Sequence, residues 1–287
     1  MRFLTIHDIR PAAPDQRTVF VLGGGGNLGA VQVGMLEAVI DRGYRPDALV
    51  GCSVGALNAA AVAADPTPAG IQRLKEIWLA LRTEHLFPPG RLSAVRLLTR
   101  RSRSICPSDG LVGLMKEALV FERFEESPVT FEVVATSLAT GTERWFATGE
   151  ILPALTASAA LPGVYPPVEI NGELLIDGGV VNNVPISRAL DMGATRLIIF
   201  HVGNFSRPRP APKRPLDVLL QSFSIARSHR FGADIARLPA GVEAMVIPGV
   251  DPGPLRYNDM SHSRQLIERG RAAAAAYLDA LPLAVGA

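Results

Sequence analysis

The sequence predicts an α/β fold, a three-layer α/β/α sandwich around a mostly parallel central sheet. Three observations carry that expectation. A β-branched and aromatic run, Thr18-Val19-Phe20-Val21-Leu22, passes through glycines into a segment whose apolar residues recur at helical spacing. A short apolar run, Ala48-Leu49-Val50, leads in the same way into the alanine-rich stretch Ala56–Ala64, which favours helix. Late in the chain, an apolar strand over Thr195–Val202 is again followed by a long helical pattern, Leu216–Leu238. Strand and helix in alternation is the signature of a sheet covered by helices on its faces. The chain has 287 residues with 48% apolar content and no dividing linker, which suits one large domain. The expected organisation is an N-terminal extension over 1–17 and a single domain over 18–287. Within the latter, a core spans 18–205 and a helical and strand completion spans 206–287.

The first strand ends in Gly23-Gly24-Gly25-Gly26-Asn27-Leu28-Gly29-Ala30, after which Val33, Leu36, Val39 and Ile40 mark a helix. Bare backbone N–H groups converge in such a loop, so it suits a phosphate or an oxyanion. Gly24-x-Gly26-x-x-Gly29 also matches the dinucleotide fingerprint, which needs an acid closing the second strand to hold the ribose. The second strand closes instead on Gly51-Cys52-Ser53, and the nearest acid, Asp47, lies before it. Gly51-x-Ser53-x-Gly55 at a strand-to-helix junction is a nucleophile elbow, a cramped turn that lifts a serine oxygen above the sheet. The two glycines are there because side chains would collide with strand and helix.

Farther along, Ile71, Leu74, Ile77, Trp78 and Leu81 predict an amphipathic helix, and Leu111–Leu119 another. Between them, Arg91, Arg96, Arg100, Arg101 and Arg103 stand among Leu92, Val95, Leu97 and Leu98. That segment reads either as a solvated surface or as a basic amphipathic piece that meets anionic lipid or covers the site. Phe131–Thr136 and Arg144–Thr148 read as strands joined by a turn at Thr140-Gly141. Asn171-Gly172 between apolar runs predicts a hairpin whose second strand, Leu174-Leu175-Ile176, ends on Asp177-Gly178-Gly179. That aspartate is either ordinary turn chemistry or a partly desolvated functional carboxylate. Arg207–Pro215 is a basic, proline-rich loop, Val242–Ile247 a last strand, and Ser261–Leu281 a closing helix.

With Gly24-Gly25-Gly26-x-x-Gly29, Gly51-x-Ser53-x-Gly55, Ala157-Ser158 through Pro166-Pro167 to Asp177-Gly178-Gly179, and Val181-Asn182-Asn183-x-Pro185 in this order, the chain resembles the patatin-like phospholipases from about Val19 to Val202. The resemblance implies a serine esterase acting on lipid acyl esters through a Ser–Asp dyad without histidine. Ser53 would be the nucleophile and Asp177 its partner, and the amides around Gly24, Gly25 and Gly26 would form the oxyanion hole. Leu28 is a departure, since the family usually carries a basic residue there.

Composition narrows the remaining classes. A net charge of +2 gives no sign of nucleic-acid binding, and the five histidines, His7, His85, His201, His229 and His262, show no metal-ligand spacing. His201, at the end of an apolar strand, is the one with reach for a triad, and a strand-end histidine satisfied by backbone is the plainer reading. No metal or cofactor is expected. Cys52 and Cys106 do not make a disulfide framework, which suits a reducing compartment and hence the cytoplasm, with peripheral contact at an anionic membrane left open. Met1–Arg10 has no signal-peptide core, and the alanine run after Arg271 is interrupted by Asp279. Two functions stand at this point: a lipid acyl hydrolase, and a non-catalytic lipid-binding or regulatory protein on the same fold.

Overall fold

The computed structural model describes residues 16–87, 104–202, 211–212, 215–253, 255 and 258–281. The N-terminal extension up to residue 15, the arginine-bearing segment 91–103 and most of the 207–215 loop lie outside the described residues. Eight strands form one sheet: β1 (Thr18–Leu22), β2 (Ala48–Cys52), β3 (Thr130–Ser137), β4 (Glu143–Phe146), β5 (Val168–Ile170), β6 (Glu173–Asp177), β7 (Arg196–Phe200) and β8 (Glu243–Ile247). Their order is β5-β6-β3-β2-β1-β7-β8, with β4 also paired to β3. Five neighbouring strands, β3-β2-β1-β7-β8, run parallel, and β4, β5 and β6 attach antiparallel.

The central strands are fully buried, and their residues divide by alternation. Phe20, Leu22, Leu49, Ile198 and Phe200 face one hydrophobic cluster, while Val19, Val21, Ala48, Val50, Leu197 and Ile199 face another. Nine helices among the described residues complete the layers. They are α1 (Gly29–Asp41), α2 (Val54–Ala64), α3 (Pro68–Ala80), α4 (Thr83–Leu86), α5 (Asp109–Ala118), α6 (Ile151–Ser158), α7 (Ile186–Asp191), α8 (Pro215–Ala236) and α9 (Ser263–Ala280). Helices α1, α2, α3 and α9 supply the first cluster, whereas α7 and α8 cover the second face. Helix α1 is buried almost all round because α9 crosses it closely at glycine: a Cβ on Gly34 would lie 2.0 Å from the Ile267 carbonyl oxygen.

Strand and helix positions follow the sequence expectation closely, and the Asn171-Gly172 hairpin turn has both residues at positive φ (53° and 78°). Three short helices, α4, α6 and α7, were not anticipated. Helix α6 carries Pro153 in its first turn, where a missing N–H costs nothing, and α7 is too short to show a period.

The pairing register places the site. Cys52, the last residue of β2, pairs with Val134, and Asp177, the last residue of β6, pairs with Ala135. Adjacent positions of β3 therefore hold the C-terminal ends of both strands, and residues leaving those ends meet.

Candidate active site

Ser53 stands between β2 and α2 with φ 55° and ψ −128°, a region that L-residues rarely occupy. The surroundings force that conformation. A Cβ on Gly51 would lie 2.6 Å from Ala56 Cα, and one on Gly55 would lie 2.2 Å from the Leu22 carbonyl oxygen. Without these two glycines α2 could not pack so tightly on the ends of β1 and β2. The Ser53 backbone N–H donates to Ser158 Oγ at 2.9 Å, which ties the elbow to the end of α6. Its hydroxyl donates to Asp177 Oδ2 at 2.6 Å.

Asp177 is buried, with 1% of its surface exposed. Its other carboxylate oxygen, Oδ1, accepts from the Gly179 amide at 2.7 Å and from the Cys52 thiol at 3.8 Å. Thr136 Oγ1 donates to its carbonyl at 3.0 Å and fixes the strand end. Burial raises the proton affinity of Asp177 above the ordinary carboxylate range. Arg227 of α8 opposes that shift, as do the hydrogen bonds from Ser53, Gly179 and Cys52. Arg227 Nη2 lies 4.0 Å from Oδ1, and its Nε donates to the Gly179 carbonyl at 2.7 Å. Burial, then the Asp177 charge, push the Cys52 thiol well above its usual value, so it stays a neutral donor.

The glycine loop lies beside this pair. A Cβ on Gly24 would stand 3.1 Å from Ser53 Cβ and 2.6 Å from Asn183 Oδ1, so only glycine lets the loop approach the serine. The Gly24 amide is already donated, to the Asn183 carbonyl at 3.0 Å. Of the amides around Gly24, Gly25 and Gly26 expected at an oxyanion hole, that of Gly24 thus has a partner within the fold. The Gly25 and Gly26 amides make no hydrogen bond among the described residues. Gly26 has φ 59°, the one left-handed residue of the loop. Behind the loop runs a buried polar chain that sequence reading missed. Trp78 Nε1 donates to Asn58 Oδ1 (3.0 Å), and Asn58 Nδ2 to Gln32 Oε1 (2.9 Å). Gln32 Nε2 then donates to the carbonyls of Gly23 (2.7 Å) and Phe200 (3.0 Å).

The family model for patatin-like phospholipases matches residues 20–190, and these contain the elbow, the loop and Asp177. The chain belongs to the patatin-like phospholipase family. An uncharacterised NTE family protein of Mycobacterium bovis is 29% identical over 199 residues, which are 68% of this chain and 51% of that protein. Patatin-like phospholipase domain-containing protein 7 of Rattus norvegicus is 28% identical over 186 residues, 64% of this chain and 13% of the rat protein. The chain thus spans about half the length, or less, of these relatives. Among solved structures, VipD from Legionella pneumophila aligns with TM-score 0.49 at 16% identity, covering 93% of this chain and 67% of VipD. A chain of the ExoU–SpcU complex of Pseudomonas aeruginosa aligns with TM-score 0.42 at 16% identity, covering 93% of this chain and 53% of that one.

In this patatin-like chain Ser53, Asp177 and the glycine loop line one cavity of about 490 Å³. Much of its wall is apolar, with Trp78 of α3, Leu111 and Met115 of α5, Leu155 of α6, and Leu161 and Val164 after α6. Leu28 faces the same space and packs on the main hydrophobic cluster, so the position where a basic residue is usual extends the apolar wall. His201 also lines the cavity, 7% exposed and stacked on Phe231 at 4.6 Å, while the acceptor of the serine proton is Asp177. Ser158, Asn183, Gln32, Asn58 and Arg227 are the supporting residues that motif reading left without roles. Arg227 lies outside every motif, and only the packing of α8 on the turn after β6 reveals it. Among the described residues no helix is long and apolar enough to cross a membrane.

Proposed function

We propose that the chain is a serine-dependent lipid acyl hydrolase that works through an acyl-enzyme. The carrying observation is the 2.6 Å hydrogen bond from Ser53 Oγ to a buried carboxylate in the wall of a largely apolar cavity. A serine hydroxyl is a weak nucleophile until a base takes its proton, and a desolvated carboxylate is a stronger base than one in water. An ester carbonyl seated over Ser53 is attacked by Oγ as the proton passes to Asp177 Oδ2. The tetrahedral oxyanion is held by the Gly25 and Gly26 amides, with the N-terminal end of α2 contributing its dipole. Collapse breaks the bond to the leaving alcohol, which takes the proton back from Asp177. Water then attacks the acyl-serine, its proton goes to Asp177, and the carboxylic acid leaves as Ser53 recovers its hydrogen. A volume of about 490 Å³ with apolar walls is of the size that accepts an acyl chain. Delivery of such substrates from an anionic membrane surface is part of this reading.

Labelling by a fluorophosphonate tests it. The wild type is expected to react and to hydrolyse short p-nitrophenyl esters, and Ser53→Ala to do neither. An unlabelled wild type that still binds fatty-acyl ligands would instead mark a lipid-binding protein on this fold.

A further inference from the structure

The structure assigns a second task at the mouth of this cavity: we propose that Arg227 reads a phosphate carried by the lipid substrate. The inference rests on the hydrolase reading for the word substrate, but its binding test does not.

The argument starts from donors. A guanidinium carries five N–H groups and cannot lose its proton, so donors not used inside the fold remain for an oxygen ligand that enters the cavity. Arg227 has 21% of its side chain exposed and lines the cavity. Among the described residues only its Nε makes a hydrogen bond, to the Gly179 carbonyl. The 4.0 Å between Nη2 and Asp177 Oδ1 is an ion-pair distance and too long for a hydrogen bond. Among the described residues neither Nη group makes a hydrogen bond, and both ride on an arm fixed at Nε in the wall of the cavity. This fork geometry suits two oxygens of one phosphate.

Position supports the same assignment. The hydrogen bond to Ser53 and the approach of Arg227 use opposite oxygens of one carboxylate, which keeps the guanidinium within about 9 Å of Ser53 Oγ. A glycerol backbone separates an acyl carbonyl from a phosphate by a comparable span. The lining combines both kinds of group: apolar side chains of α3, α5 and α6, and Ser224, Arg227 and Ser228 of α8 together with Ser53 and Asp177. An acyl chain held on the apolar side chains with its ester at Ser53 leaves a headgroup within reach of Arg227. Asp251 lines the cavity as well, so discrimination depends on the fork closing on the phosphate rather than on a broadly positive field.

The test compares dihexanoylglycerol with dihexanoylphosphatidate, which have the same acyl esters and differ by the phosphate. Arg227→Gln is expected to lower kcat/KM for the phosphatidate about tenfold to a hundredfold relative to the neutral lipid, and Arg227→Lys to fall between. Equal losses on both lipids would mean that Arg227 only steadies Asp177 and the Gly179 turn, and no change in the ratio would equally overturn the proposal. Inhibition of neutral-lipid hydrolysis by inorganic phosphate, abolished in Arg227→Gln, with no preference between the two lipids would assign the site to free phosphate instead and overturn the substrate reading. Binding separates this idea from catalysis. Ser53→Ala should bind dihexanoylphosphatidate at least tenfold more tightly by calorimetry than Ser53→Ala/Arg227→Gln does. A wild type that hydrolyses neither lipid would sink the hydrolase reading while that binding difference still stood or fell alone. Equal binding by the two variants would sink the phosphate site.

Discussion

Asp177→Asn should separate activity from stability in opposite directions. The carboxylate is the acceptor of the Ser53 proton at 2.6 Å, and asparagine has no comparable basicity. Loss of a positioned base costs about 10²–10⁴ in kcat, so the variant should fall to a residue sustained by the glycine-loop amides and binding alone. The effect on folding is set by burial. Asp177 is 1% exposed and its proton affinity is raised above the ordinary 3.8 of aspartate, so its ionised form is less favourable in the folded chain than in the unfolded one. The sign follows from linkage. The folded state binds the proton more tightly, so stability falls as pH rises from the unfolded pKa through the folded one, and the full penalty is present above the folded pKa. Each unit of elevation costs about 1.4 kcal/mol there. Asparagine removes that penalty and keeps an oxygen for the Gly179 amide. The charge of Arg227 at 4.0 Å, the largest influence opposing burial, is already contained in that net upward shift. Chemical denaturation at neutral pH should therefore find Asp177→Asn as stable as the wild type or more so, with the difference shrinking as pH is lowered through the folded pKa. A variant destabilised by about 2 kcal/mol or more at neutral pH, on the scale of a broken buried polar network, would refute the reasoning. So would one retaining a tenth of wild-type turnover.

The pH–rate profile for a neutral ester should carry an acid limb above the ordinary carboxylate range, because on the proposed mechanism Asp177 must be ionised to take the Ser53 proton. The groups facing it are Ser53, the Gly179 amide, the Cys52 thiol and Arg227, so Arg227→Gln should move the limb to higher pH. Ser53→Gly should be more stable than Ser53→Ala by about 1 kcal/mol, since relief of the positive φ exceeds the extra entropy of an unfolded glycine. Equal melting temperatures for these two variants would show that the elbow holds no strain. Gln32→Leu should cost about 2–4 kcal/mol in denaturant melts by stranding the Gly23 carbonyl and the Asn58 amide, and should lower kcat more than it raises KM as the loop shifts. Unchanged kinetics in that variant would remove the polar chain from any account of the loop.

The parts of the chain legible from sequence are those where local chemistry leaves one option. The strands β1, β2 and β7 read from β-branched runs, and the hairpin before Asp177 from Asn171-Gly172, because those patterns have few other uses. The elbow at Ser53 was legible because Gly51 and Gly55 are both sterically required, at 2.6 Å and 2.2 Å from backbone atoms. What escaped depends on registers between distant segments. No local feature shows that β2 and β6 end on neighbouring residues of β3, and that pairing brings Ser53 to Asp177. The Gly24 amide looked available until Asn183, 159 residues away, was seen to take it. Arg227 and Gln32 escaped because an arginine or a glutamine in a helix carries no signal until its neighbours are known.

The site is built from features that each cost stability: a serine held at φ 55°, a carboxylate kept from water, and glycines where side chains would stiffen the chain. They persist because the surroundings leave no relaxed alternative. Moving Ser53 to ordinary backbone angles would drive α2 into the Leu22 carbonyl, since Gly55 has no room there. Opening the carboxylate to water would require the turn after β6 to leave Arg227, which grips the Gly179 carbonyl, and Val134, whose carbonyl lies 2.4 Å from a Cβ on Gly178. Shifting the glycine loop would break its clamp at Asn183 and its anchor at Gln32 together. On the proposed mechanism, the same rigidity lets one aspartate serve where a histidine relay is usual. A base that touches the nucleophile directly needs no third residue to orient it, provided the fold fixes both ends of one 2.6 Å bond. Here β3 does so, by holding the strands that carry them at adjacent positions.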